Sequence, residues 1–245
     1  MPGAMAAAER DDLRRRLRRQ GLVAVPDKAG AAHLAAFGLA PDVVFDVGVD
    51  RGTPALYRAF PQALFVLVDP RPEARDAMQG QAAPAQSVFH EVALGAVEGA
   101  AELSIPVTSR GAEGARASLL RPVGPMARAV TGYQTRKVPV TTLDALADAY
   151  PGRVGLKIDV EGQEVAVLEG GRATLSRSDF AILEISLTER FDATPRPSRI
   201  FALLAEAGLE FRDVLRTTGD GAGGPAPRLI DALFTRWPAA PEAGA

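Results

Sequence analysis

The sequence predicts an α/β protein with a doubly wound, mostly parallel sheet that ends in an antiparallel C-terminal hairpin. Short, almost continuously apolar runs such as 43–47 and 64–68 alternate with stretches of helical pattern. Runs of this kind suit parallel strands that are buried on both faces. Near the C-terminus, two further apolar runs are separated by a glycine-rich break over 219–225 with no helical pattern, which is typical of a hairpin.

The composition excludes several classes of protein and site. With 245 residues and 47% hydrophobic side chains, the chain can bury a large core. The absence of cysteine excludes a disulfide framework, a thiolate zinc site, an iron–sulfur cluster and a cysteine nucleophile. A formal net charge of −2 lacks the basic footprint of a nucleic-acid binder. We therefore expect no nucleic-acid partner. No apolar stretch is long enough to span a membrane, so we also expect a soluble, cytoplasmic protein.

Residues 1–40 are expected to form a helical extension. Six arginines surround Leu13 and Leu17, which are spaced i, i+4 and predict a helix over 6–20 with a narrow apolar stripe. We interpret it as a solvated helix on the domain; an anionic surface or a partner is the alternative. A second helix over 29–37 leads into the main domain, expected over 41–237, and a flexible tail follows over 238–245.

The main domain is predicted to alternate strands and helices. Strands are predicted over 43–47, 64–68, 87–94, 101–105, 154–158, 180–185, 210–215 and 229–235. Helices are predicted over 54–60, 71–79, 143–150, 163–175 and 199–207. Residues 106–135, rich in glycine, proline and arginine, do not fit this alternation. We interpret them as a lid or an acceptor-binding insertion, with a plain surface excursion as the alternative.

The first strand and the turn after it indicate a ligand site. Open α/β sheets bind nucleotide-like ligands beyond the carboxyl ends of their strands, and here Asp46 is followed by Gly48 and Gly52. The dinucleotide fingerprint would require glycines where Asp50 and Thr53 stand, which disfavours a NAD-type enzyme. A site for S-adenosylmethionine (SAM) needs fewer glycines because there is no pyrophosphate to cradle. It uses carboxylates to bind the ribose hydroxyls and the amino group.

Further acids follow the neighbouring predicted strands. Asp69, followed by Pro70, ends the second strand and is the expected partner of the ribose hydroxyls. Asp159, Glu161 and Gly162 follow the predicted strand over 154–158, at the same edge of the sheet. Helix capping is the alternative role for Glu161. The acids at this edge together strengthen the prediction of a SAM site.

The motifs resemble the FkbM family of SAM-dependent methyltransferases, in the family's order, over roughly 43–185. The matching segments are the Phe-Asp-Val-Gly-x-x-x-Gly turn at 45–52, Asp-Pro at 69–70, Ala-Leu-Gly at 93–95, Thr-Leu-Asp at 142–144, Lys-Ile-Asp-Val-Glu-Gly at 157–162, Val-Leu-x-Gly at 167–170 and Leu-Glu-Ile at 183–185. The six-residue block at 157–162 is the most specific. The resemblance implies a class I methyltransferase fold, a Rossmann-like seven-stranded sheet whose last pair forms an antiparallel hairpin.

The cofactor contacts expected on this basis involve Asp46, Gly48, Asp50, Gly52, Asp69, Pro70, Arg71, Glu91, Val92, Ala93 and Asp159. The chain departs from the family at three of these places. Val49 and Asp50 replace the usual Ala-Asn, Asp69 replaces the more common Glu, and Glu91 stands where Asn is frequent. Asp50 has no amide donor, which affects the expected contacts to the methionine carboxylate.

The expected function is SAM-dependent O-methylation of a hydroxyl on a sugar or secondary metabolite, as in natural product biosynthesis. Methyl transfer is an in-line displacement, so alignment and a deprotonated nucleophile are what the enzyme supplies. Candidate catalytic residues are Asp159, Glu161, Glu184 and His90. Crowded carboxylates raise one another's pKa, which favours one as the base. Alternatively, Asp159 and Glu184 bind Mg²⁺.

An alternative function stays open at this point. It is that of a catalytically degenerate SAM- or glycan-binding protein of the same fold, and Asp50 favours it. The acceptor, a small molecule or glycan, is expected among 106–135, the N-terminal helices and 186–197. Its binding could use four arginines, which otherwise face solvent: Arg110, Arg116, Arg121 and Arg128. A homodimer is one option for the oligomeric state.

Overall fold

The computed structural model describes residues 7–23, 27–79, 83–218 and 227–237. The strands are β1 Val43–Val47, β2 Leu64–Val68, β3 Ser87–His90, β4 Ala93–Leu94, β5 Gly99–Thr108, β6 Gly111–Ala112, β7 Gly132–Thr141, β8 Val154–Ile158, β9 Ser178–Ser186, β10 Leu209–Thr218 and β11 Leu229–Arg236. The helices are α1 Ala7–Arg19, α2 Ala31–Ala35, α3 Pro54–Ala59, α4 Pro72–Gln79, α5 Gly124–Arg128, α6 Leu143–Ala147, α7 Glu164–Glu169, α8 Arg172–Ser176 and α9 Pro197–Glu206, with a 3₁₀ turn at Gly114–Arg116.

Seven strands form the main sheet in the order β10-β11-β9-β8-β1-β2-β3. The pairs of β1 with β2 and β8, of β2 with β3, and of β8 with β9 are parallel. β11 is antiparallel to both β9 and β10. The predicted sheet, mostly parallel with an antiparallel C-terminal hairpin, is confirmed. The glycine-rich break predicted at 219–225 and the tail at 238–245 lie outside the described residues.

Both faces of the main sheet are buried. Phe45 belongs to the core cluster on one face, together with Leu156. Val44, the neighbouring residue of β1, belongs to the cluster on the other face, and Leu34 of α2 packs in that same cluster. All five side chains of β1 are buried. This two-sided burial is why the strand reads as a continuous apolar run rather than an alternating one.

A second sheet, in the order β4-β7-β5-β6, corrects two predictions. The run 87–94 is not one strand: β3 pairs with β2 in the main sheet, whereas β4 pairs with β7 in the second sheet. The segment 106–135 is not irregular throughout, since it begins within β5 and ends within β7, which pair antiparallel from 99 to 107. The excursion between these strands is therefore shorter, 109–131. A side-chain pattern within one strand does not reveal which sheet will pair with it.

The helix predicted over 163–175 is also wrong as a single element. It is divided into α7 and α8 by Gly170 and Gly171. A Cβ at Gly170 would overlap the carbonyl oxygen of Gly95, and one at Gly171 would lie 2.6 Å from a methyl carbon of Leu143. The two glycines thus allow close packing at the point where the helix direction changes.

The N-terminal helix α1 is largely exposed. Leu13 and Leu17 are its half-buried positions, and its charges include i, i+3 and i, i+4 ion pairs such as Asp12 with Arg16. Within the described parts of the chain, no helix has the length and apolar character needed to cross a bilayer. The division at residue 40 stays a prediction.

Candidate active site

A cavity of about 210 Å³ lies at the carboxyl edge of β1, β2 and β8. Eight of the residues expected to contact a cofactor line it, and so does the catalytic candidate Glu161. Those eight are Gly48, Asp50, Asp69, Pro70, Arg71, Val92, Ala93 and Asp159. Apolar side chains complete the wall, among them Val68, Leu103 and Leu119. The sequence pattern therefore located residues that the fold brings together around one cavity.

Gly48 turns the chain sharply between β1 and the cavity. Its φ of 78° lies in the left-handed region, and a Cβ there would overlap the carbonyl oxygen of Asp159. The backbone N–H of Gly48 donates to the carbonyl of Val68 (2.8 Å), and that of Asp159 donates to Val47 (3.0 Å). The turn is thus held between the ends of β2 and β8, and glycine is required there.

Asp69 is 2% exposed and accepts four hydrogen bonds. Its Oδ1 accepts from the backbone N–H and the Nε of Arg71, both at 3.0 Å. Its Oδ2 accepts from the backbone N–H of Asp50 (3.1 Å) and from Nη2 of Arg71 (2.8 Å). Arg71 also donates to Oδ1 of Asp50 at 3.1 Å. Asp69, the residue expected to bind the ribose hydroxyls, is therefore bound by the side chain of the buried Arg71.

Three acids converge beside this cavity. Carboxylate oxygens of Asp159, Glu161 and Glu184 lie within 4.8 Å of one another. The guanidinium of Arg190 donates to Oε2 of Glu161 (2.7 Å) and to Oε1 of Glu184 (2.8 Å). Arg190 is buried, and it follows β9 in a loop that carried no motif. Sequence reasoning missed it because its partner Glu161 is 29 residues away along the chain.

Lys157, on β8, forms ion pairs with Asp159 of this cluster and with Asp46. Its Nζ lies 3.3 Å from Oδ2 of Asp159 and 3.6 Å from Oδ1 of Asp46, and it donates to the carbonyl of Gly48 at 3.4 Å. Asp46 is fully buried, and its Oδ2 accepts from the hydroxyl of Tyr57 at 2.7 Å. Asp46 is not among the described residues that line the cavity. The structure places it behind the wall, where it supports Lys157.

The charges in this cluster are not balanced. Three cations, Lys157, Arg190 and Arg216, lie among five carboxylates, which are those of Asp46, Asp159, Glu161, Glu184 and Asp231. Burial raises the pKa of Asp46 and of Glu184, and it raises the pKa of Glu161 to about 8 although Arg190 opposes this. A proton is therefore retained on Glu161 near neutral pH, which is a condition for general acid and base chemistry.

A second cavity, of about 370 Å³, lies on the other side of the wall formed by Gly48, Asp50 and Asp159. These three residues line both cavities. The second cavity has an apolar part made by Leu34, Leu56, Ile182 and Leu215. Its polar part includes Arg51, Lys157, Glu184, Arg216 and Asp231. Glu161 thus lines the first cavity, Glu184 lines the second, and Asp159 lines both.

A family comparison agrees with this arrangement. The sequence model of the methyltransferase FkbM domain matches residues 46–211. The chain belongs to the FkbM methyltransferase family. The resemblance deduced from the motifs is thereby confirmed, and the matched segment contains every residue named above for the first cavity. A comparison with curated protein sequences gave no significant match.

Solved structures share the fold. The FkbM methyltransferase of Methylobacillus flagellatus KT is 15% identical with a TM-score of 0.50, and the alignment covers 86% of this chain but 48% of that one. This chain thus spans about half the length of that FkbM protein. Magnesium protoporphyrin IX methyltransferase of Synechocystis PCC 6803, solved with bound SAM, is 14% identical with a TM-score of 0.44, covering 97% of this chain and 87% of that one. The first likeness supports the class I methyltransferase fold.

The remaining candidates of this FkbM chain lie outside the first cavity. His90 ends β3, its Nε2 is 2.7 Å from the hydroxyl of Tyr150, and burial lowers its pKa. Glu91 forms an ion pair with Arg75 at 2.9 Å. Gly52 lines the second cavity. Neither His90 nor Glu91 is among the described residues that line the two cavities.

The excursion over 109–131 meets the loop after β9 above the acid cluster. Ser118 donates its hydroxyl to the carbonyl of Glu161 (2.6 Å), and the backbone N–H of Val123 donates to the carbonyl of Arg190 (2.9 Å). Three of the four arginines proposed for an anionic acceptor pair with carboxylates instead. Arg110 and Arg116 bind Glu113, and Arg121 binds Glu102.

Proposed function

We propose that this chain is a SAM-dependent O-methyltransferase that transfers a methyl group to a hydroxyl of a sugar or secondary metabolite. One observation carries the proposal: two cavities meet at a wall formed by Gly48, Asp50 and Asp159, with the acid cluster beside the junction. A donor in one cavity and an acceptor in the other would face each other across Gly48. Holding two reactants in this way is the main contribution that a methyl transfer requires.

The first cavity suits the cofactor. Gly48 has no side chain that would fill the turn, and Asp69 offers a buried carboxylate to the ribose hydroxyls. Val68, Val92 and Leu103 supply apolar surface for an adenine ring. When bound, SAM supplies a methyl group on a sulfonium, which is an excellent leaving group. The residues of the chain then have to align the acceptor and accept its proton.

The second cavity suits a hydroxylated acceptor. Two pairs in its lining are closed: Arg216 lies 2.8 Å from Asp231, and Lys157 lies 3.3 Å from Asp159. With Arg51 included, the lining carries three cations and four carboxylates, and this small excess of negative charge favours a neutral polar ligand over a phosphate. The apolar part, including Leu34 and Ile182, would pack against the hydrocarbon face of a ring.

Asp159 is the proposed base. It is the member of the acid cluster that lines both cavities, so it can reach the acceptor hydroxyl. Lys157 holds its Oδ2 at 3.3 Å. Arg190 already binds Glu161 and Glu184, so the cluster obtains its positive charge from a guanidinium. We therefore propose proton removal by a carboxylate, and the alternative with Mg²⁺ on Asp159 and Glu184 is decided by adding EDTA to a turnover assay.

A catalytically degenerate SAM- or glycan-binding protein is the second candidate. Asp50 favours it, because it replaces the asparagine that is usual in the family. One oxygen of its carboxylate already accepts a hydrogen bond from Arg71. Methyl transfer from labelled SAM to a panel of sugars and hydroxylated metabolites separates the two candidates. Binding of S-adenosylhomocysteine without any transfer would favour the degenerate protein.

The test of the proposed function is a calorimetric titration with S-adenosylhomocysteine and, separately, with NAD. We expect binding of the first and none of the second. Binding of NAD alone would refute the methyltransferase. The cytoplasmic location and the homodimer remain proposals from the sequence, and sedimentation analysis tests the latter.

A further inference from the structure

The carboxylate of Asp69 has no capacity left for the ribose that the proposed function assigns to it. A carboxylate offers about four lone-pair sites, and Asp69 accepts four hydrogen bonds. Two of them come from backbone N–H groups of Asp50 and Arg71 and are part of the fold. The other two come from the Nε and Nη2 atoms of the Arg71 side chain, and these are the ones that can be released.

We propose that the side chain of Arg71 competes with the cofactor's ribose hydroxyls for Asp69, so that the cofactor binds only after the guanidinium has left this carboxylate. The inference rests on the proposed function, since it assigns the ribose to Asp69. It reverses the role expected for Arg71 from the sequence, where Arg71 was a cofactor contact. Arg71 lines the cavity, as a competitor for the site must.

Burial explains why an arginine binds the carboxylate of Asp69. Asp69 is 2% exposed and Arg71 is 7% exposed. An ionised carboxylate at such depth is costly unless a cation and hydrogen bonds compensate it. Gly114 provides room for the guanidinium, because a Cβ at that position would lie 2.5 Å from Nη1 of Arg71. Arg71 thus supplies the cation and the hydrogen-bond donors that this buried carboxylate requires.

A neighbouring groove can receive the guanidinium after its release. Arg71 lines this groove as well, together with the carboxylate-bearing Glu73 and Glu113. Both acids are engaged by exposed arginines, Glu73 by Arg136 at 2.6 Å and Glu113 by Arg116 at 2.9 Å. Both oxygens of each acid already have partners, so the guanidinium would bind there by exchange with a solvent-accessible arginine. Asp50, which already accepts from Arg71, stands between the cavity and the groove and lines both.

Competition of this kind lowers the affinity for the cofactor. When only a fraction of the molecules has Arg71 released from Asp69, the measured association constant is the intrinsic constant multiplied by that fraction. A variant that cannot form the bonds between the side chain of Arg71 and Asp69 should therefore bind more tightly. A residue that contacts the cofactor directly gives the opposite result, since its removal weakens binding.

The experiment is a calorimetric titration of S-adenosylhomocysteine into the wild type and the Arg71→Met variant, which keeps an unbranched stem but has no guanidinium donors. We expect Arg71→Met to bind roughly tenfold more tightly, since the substitution removes bonds to a charged group that, on this proposal, the wild type must break before the cofactor binds. Arg172→Met is the matched control, because Arg172 forms an exposed ion pair with Glu206, and its affinity should equal the wild type's. Equal or weaker binding by Arg71→Met overturns the competition while leaving the methyltransferase intact. Absence of binding by both proteins overturns the proposed function, and the competition with it.

A measurement on the wild type covers the case in which Arg71→Met does not fold. The Nε–H resonance of Arg71, assigned by its loss in Arg71→Lys, should report the bond to Asp69 in the free protein, where the two atoms are 3.0 Å apart. Saturation with S-adenosylhomocysteine should shift this resonance and speed its exchange with water. An unchanged resonance at saturation means that the bond to Asp69 persists, which overturns the proposal.

Discussion

Gly48 lies so close to Asp159 that a Cβ at position 48 would overlap the carbonyl oxygen of Asp159. The contact joins the turn after β1 to the end of β8, and both cavities are built against it. A side chain at position 48 would therefore disturb a part of the wall that both cavities share.

Gly48→Ala should destabilise the protein and abolish cofactor binding. The overlap forces the backbone apart, and the φ of 78° adds strain for any L-residue. We expect a loss of more than about 2 kcal/mol in the free energy of unfolding, measured by urea denaturation, and no binding of S-adenosylhomocysteine. Gly124→Ala is the control, since Gly124 has a φ of 58° and open space at its Cβ position. If the two variants lose equal stability, the contact with Asp159 is not what requires glycine at 48.

Asp159→Asn should separate binding from chemistry. The amide keeps the size of the side chain but cannot accept the acceptor's proton, so transfer should fall at least about a hundredfold. Affinity for S-adenosylhomocysteine should stay within a few-fold of the wild type's. The exposed Asp76 gives a matched control in Asp76→Asn, which should transfer normally. An active Asp159→Asn enzyme would assign the base elsewhere in the cluster.

Arg190→Met should destabilise the fold, and more so at alkaline pH. It leaves the half-buried Glu161 and Glu184 beside Asp159 without their shared cation, with only Arg216 still near Glu184 at 3.8 Å, which costs up to about 3 kcal/mol when the acids are ionised. Burial already raises the pKa of both glutamates, so at pH 5.5 they can stay neutral and the loss should be smaller than at pH 8.5. Urea denaturation at the two pH values measures the difference. Adding Glu161→Gln and Glu184→Gln should restore stability at pH 8.5; a triple variant as unstable as Arg190→Met would show that packing, not charge, is what Arg190 supplies.

Glu164 should make stability depend on pH. It is buried at the start of α7 and accepts the N–H groups of Gly162 (3.0 Å) and Val160 (3.3 Å), and burial raises its pKa to about 7. Because the folded pKa exceeds the unfolded one, the folded state binds the extra proton between about pH 4.5 and 7. This contribution is complete below the unfolded pKa and is lost as pH rises through 7.

The measurement compares the free energies of unfolding of the wild type and Glu164→Gln from pH 4.5 to 8. The wild type should lose up to about 3 kcal/mol relative to the variant over this interval. Glu169, at the exposed end of the same helix, supplies the control Glu169→Gln, which should follow the wild type. Parallel curves for the wild type and Glu164→Gln would mean that Glu164 is ionised in the folded protein throughout.

Much of the fold was predictable because buried strands consist of short runs of apolar residues that are visible in the sequence. The bounds of β1, β2 and β8 agree with the apolar runs, since strands covered on both faces carry little besides apolar side chains. The turn at Gly48, the acid at Asp69 and the acids after β8 follow from the rule that ligands bind at the carboxyl edge of such sheets. The strand predicted over 87–94 failed because pairing with a second sheet is a long-range choice that residues within the strand do not encode.

The sequence by itself determined the doubly wound sheet, its C-terminal antiparallel pair, the family and the edge at which the acids collect. Only the tertiary structure decided which side chains neutralise those acids. Arg190 binds Glu161, which is 29 residues away along the chain. Arg71 lines the cavity, but its guanidinium is bound to Asp69. Backbone hydrogen bonds and apolar burial repeat at short, regular spacing and can be deduced from a pattern. The partner of a buried charge depends on which distant loops the fold brings within hydrogen-bond reach.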